Sequence, residues 1–112
     1  MSKALFLILC STALISFAQA ADAPRKFSCN GSLIEPRGLN PAAKTAQFSF
    51  GPSTATVIVD DRTITAPITS NNEIVLKFAN DQAVGSFFHY TNDLFVEYKT
   101  GHLAKLSCVE AN

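Results

Sequence analysis

The run Leu94-Phe95-Val96-Glu97-Tyr98-Lys99-Thr100-Gly101-His102-Leu103-Ala104-Lys105-Leu106-Ser107-Cys108 holds two alternating stretches around one turn. Leu94, Val96 and Tyr98 alternate with Phe95, Glu97 and Lys99; Ala104, Leu106 and Cys108 alternate with Lys105 and Ser107. Successive side chains of a strand point to opposite faces, so this period of two puts the apolar set on one face and the polar set on the other. Thr100-Gly101 lies between the stretches, and glycine tolerates the positive φ of a tight hairpin.

The same pattern extends toward the N-terminus. Strands are expected near 26–34, 45–50, 54–59, 62–68, 73–79, 83–90, 94–99 and 103–109. Turn residues separate them: Gly51-Pro52-Ser53, Asp60-Asp61, Ser70-Asn71-Asn72, Asn80-Asp81 and Thr91-Asn92-Asp93. Thr, Val, Ile and Phe fill the strands, and starts recur about every 8 to 12 residues, the spacing of an all-β meander. The fold class is therefore all-β, an eight-stranded antiparallel barrel or a sandwich. Pro67 cannot donate to a ladder and is expected at an edge or a strand end. Residues 35–44 have no period and two prolines, and form the one long loop, either functional or a solvated connection.

The first twenty residues have a different composition. Lys3 precedes the apolar run Ala4–Cys10, which continues to Phe17 and is followed by Ala18-Gln19-Ala20. A positive start, a short apolar stretch and an A-x-A site make a secretory signal, residues 1–20, cleaved before Ala21. A membrane anchor would need about 20 apolar residues, and Ser11, Thr12 and Ser16 interrupt this run. Cys10 is not read as a lipidation site, because Leu9 stands where a small residue is normal. Residues 21–112 then form a single β domain of 92 residues, exported to the periplasm or the exterior.

Without Lys3 the domain has 8 basic and 9 acidic residues. No basic stripe is present, which argues against nucleic acid. Cys29 and Cys108 remain, and an even count in an exported chain reads as a disulfide. Their pairing requires the first and last strands to be neighbours or to face each other.

Little here suits an enzyme. There is no G-x-S-x-G elbow and no phosphate loop, and the disulfide consumes both thiols. His89 and His102 lie on different strands of this map and could approach each other. Even with Asp60-Asp61 nearby, two histidines fall short of the three or four ligands zinc wants, so no metal or cofactor is expected. Asn30-Gly31-Ser32 matches a glycosylation sequon, which matters only in a eukaryote. Ala83–Tyr90 is aromatic on both faces, with Phe87 and Phe88 pointing oppositely and Phe95 on the outer face of the next strand. Such a strand is either buried on both sides or exposes an aromatic binding patch.

Phe27-Ser28-Cys29-Asn30-Gly31 at the start, Cys108 near the end, Ala83-Val84-Gly85-Ser86 before Phe87, and Leu94 to Gly101 before Ala104 resemble the exported inhibitors of C-type lysozymes. Members of that family are small disulfide-closed β-barrels that present a Ser-Gly segment and a Lys-Gly turn to the lysozyme cleft. The resemblance covers the cysteine frame and about 25 residues. It implies a non-enzymatic binding protein that inserts Ser86 and Lys99, beside Gly101, into the cleft. A lysine ammonium suits the paired carboxylates of such a site. Val84 stands where the family has its serine, Thr100 separates Lys99 from Gly101, His102 replaces an acid, and there is no tryptophan. The alternative is an exported structural or ligand-binding domain whose partner meets Phe88 and Phe95. Ser86 and Lys99 side by side on an exposed face would support the inhibitor reading, and opposite ends of the barrel would end it; a bare patch around Phe88 and Phe95 would favour the alternative.

Overall fold

Each of the eight alternating stretches forms a strand in the computed structural model, which describes residues 24–38 and 41–111. They are β1 (Arg25–Ile34), β2 (Ala42–Phe50), β3 (Thr54–Val59), β4 (Arg62–Asn71), β5 (Val75–Ala79), β6 (Ala83–Phe88), β7 (Asp93–Tyr98) and β8 (Leu103–Glu110). The signal segment 1–20, its cleavage site and Cys10 lie outside the described residues. Consecutive strands pair antiparallel, and β8 returns to β1, so the sheet is a closed barrel rather than a sandwich. Closure leaves no unpaired edge.

The seam is held by sequence-distant partners. Cys29 sits opposite Cys108 in the β1–β8 register, and the two are bonded at 2.03 Å. The inward residues of every strand meet at the centre. Phe27, Phe48, Phe50, Phe78 and Phe87 are all buried and form one aromatic cluster, with Phe27–Phe87 and Phe48–Phe87 ring centroids 4.9 Å apart. Each such contact adds about 0.5–1.5 kcal/mol beyond burial. Among the described residues no buried side chain is polar apart from the phenol of Tyr98. The interior of a barrel of this strand number is just wide enough to be filled by side chains, and here Phe, Leu and Val fill it.

Gly85 makes room for that filling. It faces inward opposite Phe78 on β5, and the Phe78 ring occupies the space a Cβ would take. Gly85→Ala should therefore destabilise the barrel by about 1–3 kcal/mol, as overpacked cores do. Urea denaturation checks this, and adding Phe78→Leu to Gly85→Ala should recover part of the loss. An unchanged midpoint for Gly85→Ala would refute the packing role.

Several boundaries differ from the sequence reading. β2 begins at Ala42, because Ala42, Ala43 and Lys44 pair with Leu33, Ser32 and Gly31 through their backbones, and this shortens the long loop. β6 stops at Phe88, so His89 and Tyr90 belong to the turn. Pro67 lies inside β4, not at an edge. It is nonetheless the point where the β3 ladder ends, at Thr54↔Pro67, and the β5 ladder begins, at Ile68↔Phe78. Ile68 N donates to Ser53 O, so the Pro67 nitrogen faces the start of the β5 ladder, where a missing donor costs least. Turn chemistry is as expected: Asp60, Asn92 and Gly101 have positive φ, and the Asn72 and Asn80 side chains each accept two backbone N–H groups across their turns.

The end of the barrel near Phe50 is covered by Arg25. Its guanidinium lies 5.3 Å from the Phe27 ring centroid and 5.6 Å from that of Phe50. Glu110 holds it through two hydrogen bonds, of 2.8 and 3.1 Å. The hydrogen bond from Arg25 holds the Glu110 carboxyl below its ordinary value. A carboxylate with a lowered folded pKa adds stability above its unfolded pKa and loses it as pH falls through the folded one. The wild type should thus lose its small advantage over Glu110→Gln on acidification below about pH 4, read from thermal midpoints. An advantage that persists undiminished at low pH would refute this role for the ion pair.

Candidate functional surface

A filled interior moves any function to the outside of the barrel. The outward residues of β5 to β8 line up in rows set by the register. One row reads Lys77, Ser86, Phe95, Lys105. The next holds Val75, Phe88, Asp93 and Ser107. Phe88 and Phe95 are diagonal neighbours, with centroids 5.9 Å apart and planes at 85°. Both are half-buried, so the patch is neither bare nor sealed. Val84 below them is 53 % exposed.

Lys99 lies past the end of β7, in a turn fixed by three backbone bonds. Tyr98 N donates to His102 O, Gly101 N to Tyr98 O, and Lys99 N to Gln82 O. Gly101 has φ +95°, and a Cβ there would press on the Pro36 ring at 3.1 Å, so this glycine is required by the turn itself. Lys99 is exposed. Its backbone partner across the hairpin is Gln82, just ahead of β6 and four positions from Ser86, or about 13 Å at the rise of a strand. Ser86 and Lys99 are therefore not side by side, although they share one hairpin. Ser86, Phe88 and Phe95 group on the wall; Lys99 and Gly101 group on the rim. Val84 lies two positions from Gln82.

The histidines do not approach each other. His89, in the β6–β7 turn, packs edge-on against Phe50 and Phe87 and hydrogen-bonds Asn71 at 2.8 Å. His102, in the β7–β8 turn at the other end, bonds Thr100 at 2.8 Å. Among the described residues no group of three or more His, Cys, Asp or Glu is arranged to hold a metal ion. Nor is any helix among them long and apolar enough to cross a membrane.

The rim also carries a recess that the sequence did not reveal. Arg62 and Ile64 of β4, Asp81 and Gln82 ahead of β6, and Tyr98 and Lys99 line a space of about 370 Å³. Burial raises the Tyr98 phenol above its ordinary value, against the pull of the Arg62 charge. The phenol is thus a hydrogen-bond donor at neutral pH. Arg62 starts β4 and Lys99 follows the end of the non-adjacent β7, far away in sequence, so no local pattern could have joined them. Comparison with protein-family models, with curated proteins and with solved structures finds no match for this chain.

Proposed function

We propose that the domain is an exported, non-enzymatic binding protein that inhibits a C-type lysozyme, with the rim of the β6–β7 hairpin as its contact and Lys99 entering the cleft. The observation that supports this most is the backbone bond from Lys99 to Gln82. It joins the two stretches that carry the family resemblance into one hairpin and leaves the lysine projecting from a rigid turn. The disulfide suits an oxidising compartment. The filled interior argues against an enclosed ligand, which leaves surface recognition.

The separation between Ser86 and Lys99 narrows the proposal. Lys99 is the cleft residue, and Ser86 belongs to the flanking wall. A lysozyme activity assay with the purified protein tests the function directly. Inhibition at micromolar protein is expected, and none against any C-type lysozyme would end the proposal.

A second reading rests on the Phe88–Phe95 contact. Flanked by Val84, Lys77 and Lys105, this pair would serve a domain that binds a protein or ligand through its wall. In that case Phe95→Ala abolishes binding while Lys99→Ala does nothing.

A further inference from the structure

We infer that the recess between Arg62, Tyr98 and Lys99 binds a monocarboxylate carried on an apolar body. Three walls converge there: the start of β4, the turn before β6 and the end of β7. The bond from Lys99 N to Gln82 O fastens two of them at 2.8 Å. The floor of the recess is formed by Ile64 and by the ring of Tyr98, both largely buried in the core. Two cations stand over it. Arg62 and Lys99 are exposed, and among the described residues neither has a carboxylate within ion-pairing distance; the ion pairs there are Arg25–Glu110 and Lys44–Asp60.

The charges define the ligand class. Asp81 is the one acid on the lining, so the site carries one net positive charge. A single carboxylate neutralises it, whereas an amine would meet two like charges. Tyr98 supplies a neutral hydroxyl donor, and guanidinium matches a carboxylate with paired N–H groups. The apolar floor covers a flat hydrocarbon body, as in ordinary small-ligand sites. The site shares Lys99 with the lysozyme contact but does not rest on it.

Benzoate is the probe, followed by amide chemical shifts of the purified protein without lysozyme present. Saturable shifts at Arg62, Gln82, Lys99 and Thr100 are expected, with a Kd of about 1 mM, since both cations are open to solvent. Benzyl alcohol should bind about 10-fold more weakly. Arg62→Gln should weaken benzoate about 5-fold or more, and Lys77→Gln, out on the wall, should leave it unchanged. Absence of saturable shifts up to about 20 mM would overturn the site, given the affinity expected. So would equal binding of benzyl alcohol, tighter binding of benzylamine, or indifference to Arg62→Gln. Because the titration contains no lysozyme, its failure leaves the inhibition assay untouched, and the converse holds.

Discussion

Reduction of the Cys29–Cys108 bridge should lower the thermal unfolding midpoint by about 15 to 30 °C. The bridge spans a sequence separation of 79. In the chain-entropy treatment, closing a loop that long removes about 4 to 5 kcal/mol of freedom from the unfolded chain. A domain of this size has only about 5 to 14 kcal/mol of net stability, so the loss is a large share of it. The location sharpens the argument. The bridge joins β1 to β8, the pairing that closes the barrel and has the greatest sequence separation. Without the bridge, that closure must be made against the full entropy of the intervening chain. The β1–β8 ladder, from Phe27↔Glu110 to Ile34↔Leu103, still favours closure. The reduced protein should therefore keep its far-ultraviolet spectrum at low temperature and melt earlier. Cys29→Ser with Cys108→Ser should behave alike. Midpoints within about 3 °C of each other, oxidised and reduced, would contradict the entropic account. Two titratable thiols in the native protein would remove the bond itself.

How much of this was legible in the sequence follows from the range of the interaction concerned. Strand identity is local: alternation such as Leu94, Val96, Tyr98 survives because one face of each strand meets the aromatic core. Where a strand is fixed by its neighbour's backbone, the pattern is silent. Ala42-Ala43-Lys44 shows no period, yet it pairs with β1 because Leu33 and Ser32 are already there to receive it. Ile74 continues the alternation of Leu76 and Phe78, yet it lies in the turn before β5 and is 61 % exposed. The choice between barrel and sandwich depended on whether β8 meets β1, and the two cysteines constrained that contact without specifying it. The site was less legible. Gly85 belongs to the segment that carries the family resemblance, yet it is a packing residue, because the Phe78 ring that covers it comes from another strand. Whether Ser86 and Lys99 meet was open in the sequence; antiparallel register sets them four positions apart. Arg62 gave no signal at all: only closure of the barrel, with the start of β4 and the end of β7 on one rim, brings it beside Tyr98.

Lys99→Ala should weaken inhibition of a C-type lysozyme by roughly 30-fold or more. The proposed contact pairs its ammonium with a carboxylate in the cleft, and removing one partner of such a buried pair costs about 2 to 5 kcal/mol of binding. Much of that cost is the carboxylate left buried without its partner. The free protein should not notice the change. Lys99 is exposed, its turn is held by backbone bonds, and its side chain takes no part in them. Unfolding midpoints of wild type and variant should therefore agree, which separates recognition from folding. Two controls bracket the effect. Lys105→Ala changes the same charge on the wall, next to Phe95 in the register, and should cost much less. Ser86→Ala removes a half-buried hydroxyl about 13 Å along the strand from the rim, and should also cost little if the cleft takes Lys99 alone. A large loss from Ser86→Ala would mean that the partner covers wall and rim together. Inhibition that survives Lys99→Ala would strip this residue of its role and move attention to Phe88 and Phe95, whose edge-on contact then becomes the surface to mutate.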